Sequence, residues 1–128
     1  MKPILLIVDD EIRVLSALRR ALRKEGYEIL LAATPQEALK YLAERDLDVV
    51  LSDHKMPGMS GVEILQAAAR ERPRAARLLI SGWPEAIPPE ELESLAIHAL
   101  IPKPWDDAEL KAELRAATEG VSRGRRSG

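Results

Sequence analysis

A chain of 128 residues that is 46% hydrophobic and 31% charged is long enough to bury one core and too apolar to be disordered. It has no cysteine, which excludes disulfides and thiolate metal sites, and a net charge of −2 argues against a domain-wide nucleic-acid surface. The apolar run Ile4 to Val8 is far too short to cross a membrane and nothing reads as a cleaved signal, so the expected location is the cytoplasm.

The elements alternate in type along the chain. Ile4–Val8 is an apolar run ending in acids, the pattern of a buried parallel strand. Residues 11–24 place Leu15, Leu18 and Leu22 on one helical face, and Gly26 is the expected stop. "EILLA" at 28–32 is a weaker strand. "TPQE" at 34–37 offers Thr34 as N-cap, Pro35 at N1 and Glu37 at N3, a capping box for a helix to about Glu44. Val49–Leu51 is a third strand running into Asp53, and "SGVE" at 60–63 caps a third helix through Ala68. Leu78–Ile80 is a fourth strand. A short helix opened by the Pro88-Pro89 pair follows, then a strand in "HALI" at 98–101 and a last helix begun by "DDAE" at 106–109. The final "GVSRGRRSG" holds three arginines and no acid, leaving about −5 on the rest, and is expected to be a flexible basic tail or linker stub over 120–128 after a domain of residues 1–119.

Five strands alternating with five helices imply a doubly wound parallel sheet with right-handed crossovers. In such sheets the ligand crevice lies beyond the carboxyl ends of the strands. Asp9 and Asp10 follow the first strand, Asp53 ends the third, Ser81 the fourth and Lys103 the fifth, so five polar residues converge on one edge. Three carboxylates cannot all stay ionised together without a counter-charge. Oxygen donors without His or Cys select Mg²⁺ or Mn²⁺. Asp53 is the natural nucleophile toward a phosphoryl group, with Ser81 and Lys103 placed to bind its oxygens.

The set "VDDE", "SDHKMPGMSG", "LLISGW" and "IPKPW" resembles the receiver domain of bacterial two-component response regulators over about residues 3 to 119. The resemblance implies a flavodoxin-like (βα)5 fold with strand order 2-1-3-4-5. It makes Asp9 and Asp10 the metal-binding acidic pair, Asp53 both phosphoacceptor and ligand, and the backbone carbonyl of Lys55 a further ligand. Ser81 is then the switch hydroxyl and Lys103 the conserved-type lysine, followed by Pro104, often cis in that family. The implied function is Mg²⁺-dependent acceptance of a phosphoryl group on Asp53 from a sensor histidine kinase or phosphotransfer protein. Autodephosphorylation is the only other reaction expected. The modification would switch the face of the fourth helix, fifth strand and fifth helix toward an output domain or protein. The domain would be a monomer or a weak dimer through that face, touching neither nucleic acid nor membrane. Partner docking is expected on the first helix beside the site, where Ile12, Val14 and Ala17 lie off the leucine stripe.

Plainer readings compete at each position. Asp10 could N-cap the first helix, Asp53 could be a turn residue before Pro57-Gly58, and Trp83 and Trp105 are more often packing residues. Three positions depart from the family pattern. Leu100 stands where an aromatic switch residue is usual, Pro102 precedes the lysine and fits only an edge strand, and "WPEAIPPEE" stiffens the loop before the fourth helix. Lys55 and Trp83 are expected to flank an acyl phosphate and modulate its lifetime. A non-phosphorylated interaction module is the alternative. A haloacid-dehalogenase-like phosphatase would need an Asp-x-Asp pair and a cap, and no P-loop motif occurs.

Overall fold

The computed structural model describes residues 2–127, with side chains and surroundings described for residues 2–120. Among them one sheet of parallel strands has the order β2-β1-β3-β4-β5. The elements are β1 (Ile4–Val8), α1 (Ile12–Leu22), β2 (Glu28–Ala32), α2 (Pro35–Glu44), β3 (Val49–Asp53), α3 (Gly61–Glu71), β4 (Ala76–Ser81), α4 (Pro89–Ser94), β5 (Ala99–Pro102) and α5 (Asp107–Ser127). A single 3₁₀ turn, Pro84–Ala86, precedes α4. The tail expected at 120–128 falls on the last turns of α5 and, from residue 121, outside the residues whose side chains are described.

The two-sided burial follows from the side-chain alternation of strands. Leu6, Val8, Val50 and Leu79 point to one face and pack with Ala38 and Leu42 of α2 and Ile64 and Leu65 of α3. Leu5, Ile7, Val49 and Leu51 point to the other and meet Leu15, Leu18 and Leu22 of α1 and Leu110 and Leu114 of α5. The leucine stripe of α1 is therefore the buried one, and Gly26 beyond it takes the left-handed φ of +88°.

Three helix starts carry side-chain caps. Ser60 and Glu63 form the complete reciprocal box at α3, and Asp106 Oδ1 accepts the Glu109 N–H at 2.9 Å at α5. At α2 the expected box is shifted. Thr34 Oγ1 accepts from the Glu37 N–H, but the Glu37 carboxylate reaches the N–H of Ala33 rather than that of Thr34. The donor satisfied lies one residue earlier, where the chain leaves β2.

Two helix ends are closed by arginines rather than glycines. Arg72 donates to the carbonyls of Leu42 and Ala43 at the end of α2. Arg77, on β4, donates from Nε to the Leu95 carbonyl at 2.9 Å and from an Nη to Ala75 at 3.2 Å. Burial pulls the Arg77 guanidinium pKa down from its usual value. α4 needs this support, because it is only six residues long and Ala96 after it holds a left-handed φ of 48° without being glycine. Replacing Arg77 with methionine is expected to cost about 1–3 kcal/mol. Hydrogen-exchange protection should fall first around Ala96–His98, and urea unfolding with residue-resolved exchange would check both.

Candidate functional site

The register brings the acids level. Val8 pairs with Ser52, so Asp9 and Asp53 come next on adjacent strands, and Ser81 on β4 lies opposite Pro102 on β5. The Lys103 N–H continues the ladder to the Ser81 carbonyl at 2.8 Å. β5 is an edge strand, as Pro102 requires, and the Lys103–Pro104 peptide is cis.

Asp9 is fully buried. Its Oδ1 accepts the Glu11 N–H at 2.9 Å and its Oδ2 accepts Lys103 Nζ at 2.9 Å. The same ammonium lies 3.0 Å from Asp53 Oδ1. Asp10 is exposed, yet one oxygen from each of Asp9, Asp10 and Asp53 lies within 4.8 Å of the others. Asp10 does not cap α1; Glu11 holds that position, and no side chain caps the helix.

One lysine between two buried carboxylates leaves the trio short of positive charge. Burial pushes the Asp53 carboxyl pKa up, the Lys103 hydrogen bond only partly offsets it, and the Asp9 charge adds to the rise. At Lys103 burial pulls the other way, but hydrogen bonds to both acids outweigh it and hold the ammonium above its ordinary range. The lysine rises because two anions hold its proton, and Asp53 rises because burial outweighs its share of that one cation. An all-oxygen donor set in a site short of positive charge is what a hard divalent cation fits.

Ser81 is buried, and its Oγ accepts the Trp83 N–H at 3.0 Å, which leaves the hydroxyl proton free to donate. Lys55 is exposed in the loop after β3. Trp83 is 66% exposed, so the packing reading fails for it; Trp105 does pack against the core, and its Nε1 donates to Asp107 Oδ1. Leu100 is partly buried on the α2–α3 face of the sheet.

Sequence reasoning missed Gly61. Its N–H donates to the His54 carbonyl at 2.8 Å, and a Cβ there would overlap the Asp53 carbonyl group, 2.8 Å from its carbon. The close approach seats the start of α3 directly on the acid-bearing end of β3. The only signal in the sequence is a glycine where most helices accept any residue.

Comparison with known proteins defines the class. The family model for the response regulator receiver domain matches residues 5–115. The hydrogenase transcriptional regulatory protein HoxA of Cupriavidus necator is 35% identical over 118 residues, which are 89% of this chain and 24% of that protein. Sporulation initiation phosphotransferase F of Bacillus subtilis is 31% identical over 107 residues, covering 84% of this chain and 86% of that one. The crystal structure of the signal receiver domain of an HD domain-containing protein from Pseudomonas fluorescens Pf-5 superposes with a TM-score of 0.85 at 31% identity, covering 96% and 99% of the two chains. The chain belongs to the receiver domain family of two-component response regulators. It spans about a quarter of the length of HoxA and half that of the transcriptional regulator KdpE of Mycobacterium tuberculosis. Among the described residues no helix is long and apolar enough to cross a membrane.

Proposed function

We propose that this domain is a phosphorylation-controlled switch in which Asp53 accepts a phosphoryl group. The observation that carries the reading is the single ammonium of Lys103 spanning Asp9 and Asp53, with Asp10 alongside, at the carboxyl end of the sheet. In the reaction an Asp53 carboxylate oxygen attacks phosphorus of a phosphohistidine. The new P–O bond forms as the P–N bond breaks, and the imidazole leaves with a proton. Hydrolysis returns the carboxylate and inorganic phosphate when water attacks the same phosphorus.

Asp9, Asp10 and Asp53 would hold Mg²⁺, completed by the carbonyl of Lys55. When bound, the ion would neutralise charge on the phosphoryl oxygens. Lys103, released from Asp53 as that carboxylate becomes an acyl phosphate, would follow the negative charge onto a phosphoryl oxygen. The Ser81 hydroxyl would donate to another. That rearrangement pulls on the loops after β4 and β5 and would bias the α4–β5–α5 face toward an output. Leu100 replaces the aromatic switch, so the shift would pass through its packing. Kinase docking is supported beside α1 by Ile12, which is 70% exposed next to the acids. By family analogy the donor is a sensor histidine kinase or phosphotransfer protein, and the domain would work in the cytoplasm.

Incubation with Mg²⁺ and acetyl phosphate followed by intact-mass measurement tests the reading. One added phosphoryl group is expected, absent in Asp53→Asn and absent when the metal is chelated. No adduct under any donor would favour a non-phosphorylated interaction module. The lifetime of the adduct gives a further prediction. Lys55, two residues after Asp53, and the exposed Trp83, two after Ser81, would shield the acyl phosphate and slow attack by water. Lys55→Ala and Trp83→Ala are each expected to speed phosphate release about threefold to tenfold, a change of roughly 1 kcal/mol in the barrier. Unchanged release in both variants would remove them from that role.

A further inference from the structure

We infer that a cationic pocket at the end of the sheet away from the acids binds a phosphate group, as free phosphate or a small phosphate monoester. The pocket lies where β4 begins, between the turn after α3, the turn after α4 and α5 at Ala117. Arg77 stands four residues before Ser81 on β4, about 13 Å along the strand at its usual rise, so the pocket is separate from the acid-bearing edge. Its volume of about 430 Å³ is that of a small-molecule site.

The charge there is one-signed. Arg74, Arg77 and His98 line the pocket, and no aspartate or glutamate does. Among the described residues the only ion pair from these three side chains joins His98 Nε2 to Glu113 at 3.7 Å. Arg77 is the decisive group, with five N–H donors on its guanidinium. Nε donates to the Leu95 carbonyl at 2.9 Å, and one Nη donates to Ala75 at 3.2 Å and to Pro73 at 3.4 Å. All three partners are neutral carbonyls. The second Nη has no partner among the described residues, and no buried side-chain polar atom there is left unpaired, so that edge is open to solvent. Buried charges are ordinarily paired, whereas burial lowers the Arg77 pKa here with no anion to restore it.

An oxyanion on the open Nη edge, with Arg74 beside it, supplies the missing counter-charge. Guanidinium forks match the paired oxygens of phosphate. Ala76, Ala96 and Ala117 add a small apolar wall on which the ester group of a monoester can rest. The same guanidinium caps α4 through Leu95, so a bound anion that fixes Arg77 also fixes the end of α4.

The probes are inorganic phosphate and phenyl phosphate, titrated into the full chain without divalent metal at constant ionic strength and followed by heteronuclear NMR. Both are expected to give saturable shifts at the amides of residues 75–77 and 96–98, and hydrogen exchange at 96–98 should slow as the pocket fills. Arg74→Gln should weaken binding about tenfold through loss of one charge-assisted contact. It should leave urea stability unchanged, because Arg74 is exposed and pairs with nothing among the described residues. Arg77→Met, in a chain whose spectrum shows it folded, should abolish saturable binding, and Asp53→Asn should bind as the wild type does. Tighter binding of phenyl phosphate assigns a monoester with its apolar part on the alanines, and equal binding assigns free phosphate. Shifts that rise without saturating, or that spread over the arginines of α1, overturn the inference. So does wild-type affinity in Arg74→Gln and Arg77→Met, or loss of binding in Asp53→Asn, which would return the ligand to the acid-bearing edge.

Discussion

Replacing Lys103 with alanine is expected to destabilise the fold by about 2–3 kcal/mol at neutral pH. The ammonium sits 2.9 Å from a fully buried carboxylate and 3.0 Å from a second one, and it is the sole cation bridging them. Removing it strands two like charges in a site that already raises the pKa of Asp53 through burial. The figure lies below that for a wholly buried pair because the lysine side chain is 20% exposed and water can partly replace it.

The pH dependence fixes the sign. A carboxylate whose folded pKa is raised lends stability below its unfolded pKa and loses that contribution as pH climbs through the folded value. Without Lys103 the rise at Asp53 must grow, so the deficit of the variant relative to wild type should shrink as pH falls into the carboxylate range. Lys103 in the wild type is itself raised, so its contribution holds across neutral pH and is lost only above the ordinary lysine range. Millimolar Mg²⁺ should recover more stability in Lys103→Ala than in wild type, since the ion would supply the missing positive charge. Urea unfolding at three pH values, with and without the metal, checks the set. A deficit that is constant with pH would mean the lysine acts through its packing alone.

What the sequence made legible was whatever depends on local pattern. β1 and β3 are where apolar runs end in aspartates, and β1 and β2 begin and end at the residues expected. Thr34, Ser60 and Asp106 each announced a helix start because an N-cap works within four residues. Asp9, Asp10, Asp53, Ser81 and Lys103 could be gathered on one edge because parallel strands deliver their ends together. Long-range pairings were not legible. That Lys103 is shared between two acids is a matter of ångströms between positions 94 residues apart. The arginine caps from Arg72 and Arg77 likewise join elements that no periodicity links. Trp83 reads as core by composition and is exposed, at the residue that precedes the 3₁₀ turn Pro84–Ala86, while Ile87 just after that turn is the buried one.

Gly61 is the sharpest case of such a hidden constraint. Gly61→Ala is expected to cost about 3 kcal/mol, at the upper end for overpacking, because the new methyl meets backbone, which cannot swing aside as a side chain can. The atoms in its way are the carbonyl group of Asp53 and the Cα of His54. Relief requires α3 to back away from the end of β3, which would loosen the hydrogen bond from the Gly61 N–H to His54 and turn the Asp53 carboxylate out of reach of Lys103. The loss should therefore appear twice, in urea stability and in the rate of phosphoryl incorporation, although every acid remains. Gly58→Ala is the control. It holds a φ of +86° with no atom near its missing Cβ, so it should cost only about 1 kcal/mol of backbone strain and leave incorporation unchanged. If Gly61→Ala lowered stability but incorporated phosphate at the wild-type rate, the seat of α3 on β3 would be structural and the acceptor would be positioned by Lys103 and Asp9 without it.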